Sequence, residues 1–245
     1  MLNRPIPSNS ITLSLSAVIS VFCLMVFCVT GALAQNDNDI DEPFGLSTVA
    51  TPETVLAAMW ENLLREINSD LSIIAGCRIE PHSCSSPAEL KFVGIAKEGE
   101  QHEPLAQIGH INRAANFAMR VLDTAHADDE WRSPLAALSR TAGDCKHFAV
   151  LKYAALREAG FAPEVLKIVI VEVRSTHQQH ALLAVRGDKG RWLLLDNHTL
   201  TLVESSLALD RYDPLYEFAQ DGVRQFALPS RPPQIANSLQ RPPAR

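Results

Sequence analysis

The chain has 245 residues, of which 47% are hydrophobic and 20% are charged, and its formal net charge is −6. This length and composition fit one globular domain with a sizeable core and leave residues over for terminal segments. The excess of acidic residues argues against a nucleic-acid-binding protein, because binding to phosphates requires a basic surface.

The first 34 residues have the layout of a secretory signal. Arg4 is their only charged residue, an apolar run extends over residues 11–29, and Ala32 and Ala34 form a small-residue cleavage site. We expect cleavage after Ala34, which removes one of 22 basic residues and leaves 21 basic and 28 acidic residues. An uncleaved anchor is the alternative, since the run is near the lower limit for a spanning helix. The mature form is predicted to be periplasmic or secreted, and not embedded in a membrane.

Three of the five cysteines, Cys77, Cys84 and Cys145, remain after the predicted cleavage. In an oxidising compartment, an odd number of cysteines leaves one free and potentially reactive thiol. Cys77 and Cys84 flank a short polar loop and favour a disulfide, and two unpaired thiols are the alternative. In either case Cys145 is the thiol left without a disulfide partner.

Polar segments flank the predicted domain. Residues 35–45 are acidic and have no apolar period, which predicts a disordered leader. Residues 229–245 contain five prolines, which predicts a flexible tail. We therefore expect a single folded domain over residues 46–228.

Apolar residues with helical spacing predict four helices, over about residues 51–77, 86–96, 105–122 and 145–160. The second of these begins with a capping box from Ser86 to Glu89. Three β-rich runs follow, at residues 165–173, 180–185 and 191–195, and the last two flank a turn-like Arg-Gly-Asp-Lys-Gly sequence. Helices followed by an antiparallel sheet place the domain in the α+β class.

Cys145 lies at the predicted start of the fourth helix, in the sequence Gly-Asp-Cys-Lys-His. The free N–H groups and the dipole at a helix N-terminus favour the nucleophilic thiolate, and the Lys146 ammonium adds positive charge. The same N–H groups can bind the oxyanion of a tetrahedral intermediate. The position therefore suits a nucleophile, although a cysteine at a helix start is weak evidence by itself.

A nucleophilic thiol needs a base, and the base needs a group that orients it. His180 begins one strand of the predicted hairpin, and Asp196 follows the next strand. With an odd-numbered loop over residues 186–190, these two residues lie directly opposite each other on one face of the sheet. A four-residue loop would instead pair His180 with Asn197 and turn Asp196 away. We predict the odd loop, or a bulge of the same effect, and with it a triad of Cys145, His180 and Asp196.

A zinc site built from cysteine and histidine is the competing hypothesis. Its ligands would be Cys145, His147, His177 and His180. The spacing argues against it, because His177 and His180 point to opposite faces of an extended chain. His147, two residues after Cys145, points away from it around the helix.

The motifs resemble those of the bacterial transglutaminase-like cysteine peptidases. The likeness rests on GDCKHFAVLKYAALREAGF, HALLAV and LLLDN, together with a W-x-x-P motif, the run QIGHINRAANFAMR and the Cys77 and Cys84 pair. It covers most of residues 50–222. The resemblance implies a papain-like transglutaminase core in which Cys145, His180 and Asp196 are the catalytic triad.

The same resemblance implies an activity and partners. The family includes a periplasmic protease that releases adhesins from the surface of biofilm bacteria, so we expect an exported thiol hydrolase that cleaves a protein such as a surface adhesin. An inner-membrane receptor is the implied regulator. Two alternatives stay open. The first is acyl transfer of the transglutaminase or deamidase type, and the second is a non-catalytic module that binds peptides on the same fold.

Calcium is the cofactor that the family implies. Family members typically read Gly-Asp-Cys-Glu-Asp, and the acids around the cysteine help to bind the metal. Here Asp144 is retained as a possible ligand, but Lys146 and His147 stand in place of the two following acids. Calcium prefers anionic oxygen ligands, and an ammonium repels it. The substitutions therefore argue against calcium dependence through this motif, whereas they favour the thiolate at Cys145.

Overall fold

The computed structural model describes residues 41–51, 53–122 and 130–227. The predicted signal at residues 1–34, the predicted leader up to residue 40 and the predicted tail at residues 229–245 lie outside the described residues. Within the described ranges, no helix is both long enough and apolar enough to span a membrane.

The described chain forms five α-helices, which are α1 (Thr54–Ile79), α2 (Pro87–Lys97), α3 (Pro104–Ala118), α4 (Pro134–Ser139) and α5 (Cys145–Glu158). The predicted capping box begins α2, where the Ser86 hydroxyl accepts a hydrogen bond from the Glu89 N–H. In contrast, α3 ends four residues before its predicted end at residue 122. The chain leaves the helix there because Arg120 and Val121 pair with a strand that comes later in the sequence.

Nine strands complete the described part, namely β1 (Thr48–Ala50), β2 (Arg120–Val121), β3 (Ala142–Gly143), β4 (Leu166–Val173), β5 (Gln178–Arg186), β6 (Trp192–Leu195), β7 (Val203–Glu204), β8 (Tyr212–Ala219) and β9 (Gly222–Phe226). Seven of them form a sheet in the order β1-β9-β8-β4-β5-β6-β7, in which all neighbours are antiparallel. Strands β2 and β3 form a separate parallel pair. The predicted α+β class is confirmed.

Each face of the seven-stranded sheet buries an apolar core, as expected from the alternation of side chains along a strand. The helices cover one face, where α5 packs on β4 and β5 and also contacts the other four helices. Residues 147–156 of α5 are all buried, so this helix is central and not amphipathic. The N-terminus of a central helix is held by the surrounding core, which fixes the position of Cys145.

The chain before β1 packs against the other face of the sheet. Phe44 is only 2% exposed, stacks edge-on against Phe226 and donates its backbone N–H to the Ser205 hydroxyl. Residues 41–45 were predicted to belong to a disordered leader, and this part of the prediction is wrong. The apolar side chain of Phe44 anchors the segment, so the folded part begins by residue 41 and not at residue 46.

A disulfide joins Cys77, near the end of α1, to Cys84, just before α2. It confirms the pairing predicted from the sequence. In the described part of the chain, Cys145 is the one free cysteine.

Candidate active site

The start of α5 is built around a close approach of two residues. A Cβ atom added to Gly143 would lie 2.9 Å from the Cβ of His147, which is closer than real side chains approach. Glycine at this position therefore lets the chain turn tightly into the helix. Asp144 is the N-cap residue, and its side chain and that of His147 form a reciprocal capping box.

The side chains of Lys146 and His147 hold the Asp144 carboxylate. His147 Nδ1 lies 2.8 Å from Asp144 Oδ1, and the Lys146 ammonium lies 2.5 Å from Oδ2. Burial raises the pKa of Asp144, but these two neighbours outweigh it and lower the pKa to about 2. The carboxylate is therefore ionised and paired inside the protein at any pH near neutrality.

Arg132 completes this arrangement from the chain before α4. Its Nη1 lies 2.8 Å from His147 Nε2, and its Nη2 forms an ion pair with Glu130. A guanidinium can only donate hydrogen bonds, so His147 Nε2 accepts from Arg132, while Nδ1 faces Asp144 and accepts its backbone N–H at 3.2 Å. His147 is thus held between Asp144 and Arg132. Arg132 could not be predicted from the sequence, because nothing in the local pattern distinguishes it from a surface arginine.

The β5–β6 hairpin places His180 and Asp196 on the same face of the sheet. Leu183 pairs with Leu195 and Arg186 with Trp192, which leaves a five-residue loop at residues 187–191. The predicted loop at residues 186–190 was wrong, and the position opposite His180 in this register is 198 and not 196. The ladder on β6 ends at Leu195, one residue before Asp196, which was predicted to be paired. A shift of two residues preserves the face, so Asp196 lies diagonally across from His180.

His180 and Asp196 are joined directly. His180 Nε2 lies 2.9 Å from Asp196 Oδ1, and both residues are buried. His180 also interacts with the Cys145 side chain, and this interaction helps to raise the pKa of the imidazole. Burial lowers the pKa of His180, but the hydrogen bonds with Asp196 and Cys145 raise it to about 9. The three residues predicted as a triad are therefore brought together in the order thiol, imidazole, carboxylate.

Further groups fix the Asp196 carboxylate. Its Oδ1 accepts the backbone N–H of His198, and its Oδ2 accepts the Tyr212 hydroxyl at 3.3 Å. Asn116 on α3 donates to the Asp196 backbone carbonyl at 2.9 Å. Burial raises the pKa of Asp196, but the hydrogen bond from His180 and the charges around it outweigh burial and lower the pKa. Sequence reasoning missed Tyr212 and Asn116, which reach the site from distant parts of the chain.

The triad residues line an open cleft of about 700 Å³. Trp131 forms part of its wall and packs against Phe218 with ring centroids 5.5 Å apart. Other side chains along the cleft come from the chain after β2, from the β4–β5 turn, from the start of β5 and from the loop before β8: Leu122, Arg174, Thr176, Gln179 and Arg211. A cleft of this kind, open to solvent and lined by polar and apolar groups, can admit an extended segment of another protein.

The residues of the competing zinc hypothesis are not brought together as a site. His147 is occupied by Asp144 and Arg132, and the side chain of His177 is 79% exposed and bonded to Glu172. Among the described residues, no group of three or more His, Cys, Asp and Glu side chains is arranged to hold a metal ion.

Comparisons with known proteins support the fold and the family. A structure of calcium-bound LapG from Legionella pneumophila is 21% identical and matches 62% of this chain and 87% of LapG with a TM-score of 0.53. A second LapG structure from the same organism is 20% identical and matches 65% of this chain and 87% of LapG with a TM-score of 0.52. A comparison with curated protein sequences gives no match.

The family comparison covers the region that contains the site. Residues 69–212, more than half of the chain, match the family described as bacterial transglutaminase-like cysteine proteinase BTLCP. The resemblance inferred from the sequence motifs is thereby confirmed. The chain belongs to this family of bacterial transglutaminase-like cysteine proteinases and is a cysteine peptidase.

Proposed function

We propose that the chain is an exported thiol hydrolase that cleaves peptide bonds of a periplasmic or cell-surface protein through Cys145, His180 and Asp196. The observation that carries this proposal is that Cys145, at the N-terminus of α5, lines one open cleft together with His180, whose imidazole is bonded to Asp196 at 2.9 Å. A nucleophile, a base and an orienting group in mutual reach are the minimal equipment of covalent hydrolysis.

The first half of the reaction forms an acyl-enzyme. Proton transfer from Cys145 to His180 gives a thiolate and an imidazolium, and the thiolate attacks the peptide carbonyl carbon. The first backbone N–H groups of α5 lie where they can stabilise the resulting oxyanion. When the C–N bond breaks, the His180 imidazolium returns its proton to the leaving amine, and a thioester remains on Cys145.

The second half of the reaction hydrolyses the thioester. Neutral His180 removes a proton from water, the hydroxide attacks the carbonyl carbon, and Cys145 leaves and recovers its proton from the imidazolium. Asp196 stabilises the imidazolium in both halves and keeps the ring in position, since its Oδ1 holds His180 Nε2 at 2.9 Å. An amine in place of water would give the crosslinked product of an acyltransferase.

The site of action and the partners are parts of the same proposal. The secretory layout of residues 1–34 supports export and cleavage after Ala34. The family resemblance supports a surface adhesin as the substrate and an inner-membrane receptor as the regulator. The open cleft supports a macromolecular substrate, because an extended segment of a large protein can enter it without being engulfed.

Calcium, which is bound in one of the LapG structures, does not fit the residues around Asp144 in this chain. Both oxygens of the Asp144 carboxylate face partners inside the protein, namely Lys146 and His147. A calcium ion at this carboxylate would have to displace an ammonium and would lie close to the Arg132 guanidinium. We therefore derive no step through calcium and propose that the start of α5 is held by these side chains without a metal.

The proposal can be tested with an iodoacetamide-based probe and with variants of the triad. We expect the folded chain to be alkylated at Cys145, identified by peptide mass spectrometry, much faster than the denatured chain. Cys145→Ala should abolish the labelling and also the cleavage of any protein substrate, and His180→Ala should slow the labelling by about tenfold or more. Asp196→Asn should reduce it as well, whereas Asp188→Asn in the exposed hairpin loop provides the matched control.

Two outcomes would contradict the proposal. If the folded and denatured chains were labelled at equal rates, or if His180→Ala reacted like the parent, Cys145 would not be an activated nucleophile.

Incubation of a cleaved protein with an added primary amine, followed by mass spectrometry, then distinguishes hydrolysis from acyl transfer, because only transfer gives a product with the mass of the amine.

A further inference from the structure

Lys152 lies in the middle of α5 and is completely buried, with 0% of its surface exposed. Among the described residues, its ammonium group has no hydrogen-bond partner. Burial of an ammonium without a partner costs several kcal/mol of folding free energy, as a rough general magnitude. The fold therefore carries a charged residue that destabilises it at this position.

Lys167 shows how the same protein accommodates a structural buried lysine. It is 6% exposed, and its ammonium contacts both oxygens of the fully buried Glu217, at 3.0 and 3.1 Å, as well as Glu42. Lys167 thus replaces water with carboxylates and satisfies its donors. Lys152 has no such carboxylate in contact, so a role in holding the fold together does not account for it.

The position of Lys152 connects it to the active site. It follows Cys145 by seven residues on the same helix, which is two turns, so the two side chains project from the same face about 10 Å apart along the axis. The acidic residue whose charge acts on it is Asp196. Burial lowers the pKa of Lys152 to about 7, and Asp196 partly opposes this lowering. The lysine is therefore cationic below neutral pH.

We propose that Lys152 is a positioning residue of the active site, whose buried positive charge favours the Cys145 thiolate and balances the Asp196 carboxylate from inside the core. This inference rests on the proposed function of the triad. It adds a fourth group that touches neither substrate nor thiol and acts through the electric field in the low-dielectric interior.

The groups around Asp196 support this role. The carboxylate accepts hydrogen bonds from His180, from the His198 backbone and from Tyr212, and it raises the pKa of Tyr212 after the larger effect of burial. Without a second cation, the Asp196 charge would oppose the formation of a thiolate nearby. A charge on Lys152 offsets this opposition without taking up a hydrogen-bonding position that His180 needs.

The test compares Lys152→Met with Lys167→Met, since both variants replace a buried ammonium with an apolar side chain of similar length. The rate of alkylation of Cys145 by iodoacetamide is measured from pH 5 to pH 10, and thermal unfolding is measured in parallel. Below pH 7, Lys152→Met should react about fivefold more slowly, with the acid limb of the profile moved to higher pH. It should melt at or above the parent temperature, because a buried unpaired charge has been removed.

Lys167→Met should behave in the opposite way. It leaves Glu217 buried without its cation and should melt well below the parent, while the pH profile of labelling per folded molecule stays the same. If Lys152→Met also melts lower and leaves the profile unmoved, Lys152 is structural and the inference is wrong. If Lys152→Met does not fold, Lys152→Gln keeps a polar side chain without charge and gives the same comparison.

Failure of this inference is distinguishable from failure of the proposed function. If Cys145 of the parent chain reacted no faster than in the denatured chain, the triad itself would be refuted. If the parent reacted fast and both Lys152 variants reacted with the same profile, only the role of Lys152 would be refuted.

Discussion

Exchange of two residues at the start of α5 should create a calcium-dependent site. The double variant Lys146→Glu with His147→Asp removes the two partners of Asp144 and places three carboxylates at one helix turn. In the parent chain, those partners lower the pKa of Asp144 from 3.8 to about 2. This shift corresponds to about 2 kcal/mol of folding free energy, at about 1.4 kcal/mol for each pH unit.

The sign of this contribution fixes the pH of the experiment. A carboxyl group whose pKa is lowered by folding stabilises the folded state above its unfolded pKa, and the stabilisation is lost as the pH falls through the folded value. For Asp144 it is therefore complete above about pH 4 and lost towards pH 2. At pH 7 without calcium, the double variant should lose at least about 2 kcal/mol, because mutual repulsion of the carboxylates adds to the lost pairing.

Calcium should reverse this loss in the double variant only. Ligand binding to the folded state stabilises it by about 2.7 kcal/mol at one hundred times the dissociation constant. Urea unfolding and calorimetric titration with calcium chloride, each with an EGTA control, measure both effects. A variant with Lys189→Glu and His82→Asp, at exposed positions, makes the same change of residue types elsewhere and should stay insensitive to calcium.

The reasoning would be refuted if the parent chain lost its Cys145 labelling in EGTA, or if calcium raised the stability of the parent. It would also be refuted if the double variant were as stable as the parent without calcium. Any of these three results would mean that Lys146, His147 and Arg132 do not perform the role assigned to them at the N-terminus of α5.

Two further predictions concern the same site. Gly143→Ala should destabilise the protein by about 1–3 kcal/mol and slow the labelling of Cys145, because the new methyl group would meet His147 at 2.9 Å. Gly109→Ala is the control, because the added carbon meets nothing within 4 Å there. This control should be neutral or stabilising in urea unfolding. The pKa of His180 is raised by folding to about 9, so its contribution to stability is complete below about pH 6.5 and is lost as the pH rises through 9. Unfolding free energies measured from pH 6 to pH 10 should show this decline, and an equal decline in His180→Ala would count against it.

The site residues that could be predicted from the sequence were those with a local signal. Cys145 was identified by its helix start, and His180 and Asp196 by their places at the ends of β-rich runs. Only the parity of the hairpin loop matters for the shared face, and both the predicted and the observed loop have five residues. The pairing itself was displaced by two residues, because the turn begins one residue later than predicted and the sequence does not indicate where it begins.

Contacts between distant segments could not be predicted. The apolar period of α3 continues past Ala118, but the pairing of β2 with β3 overrides it. In the same way, Arg132 and Tyr212 reach the site from segments whose local sequence indicates nothing about Cys145. The leader was misjudged at residues 41–45 for a similar reason, since a single Phe44 among acidic residues gives no periodic signal.

Helix α5 connects the stability of the core with the reactivity of the thiol. The same helix carries Cys145 and two cations, Lys146 next to the thiol and Lys152 seven residues after it. One of these cations is paired near the cleft, whereas the other is buried among apolar side chains. A loss of packing that lets water reach Lys152 would weaken its field, since charges interact less strongly in a medium of higher dielectric constant. Cavity-forming substitutions beside Lys152 should therefore reduce Cys145 reactivity at acidic pH before they unfold the protein. Core packing and thiol reactivity are coupled in this way because the nucleophile lies at the start of a helix that is buried along its length.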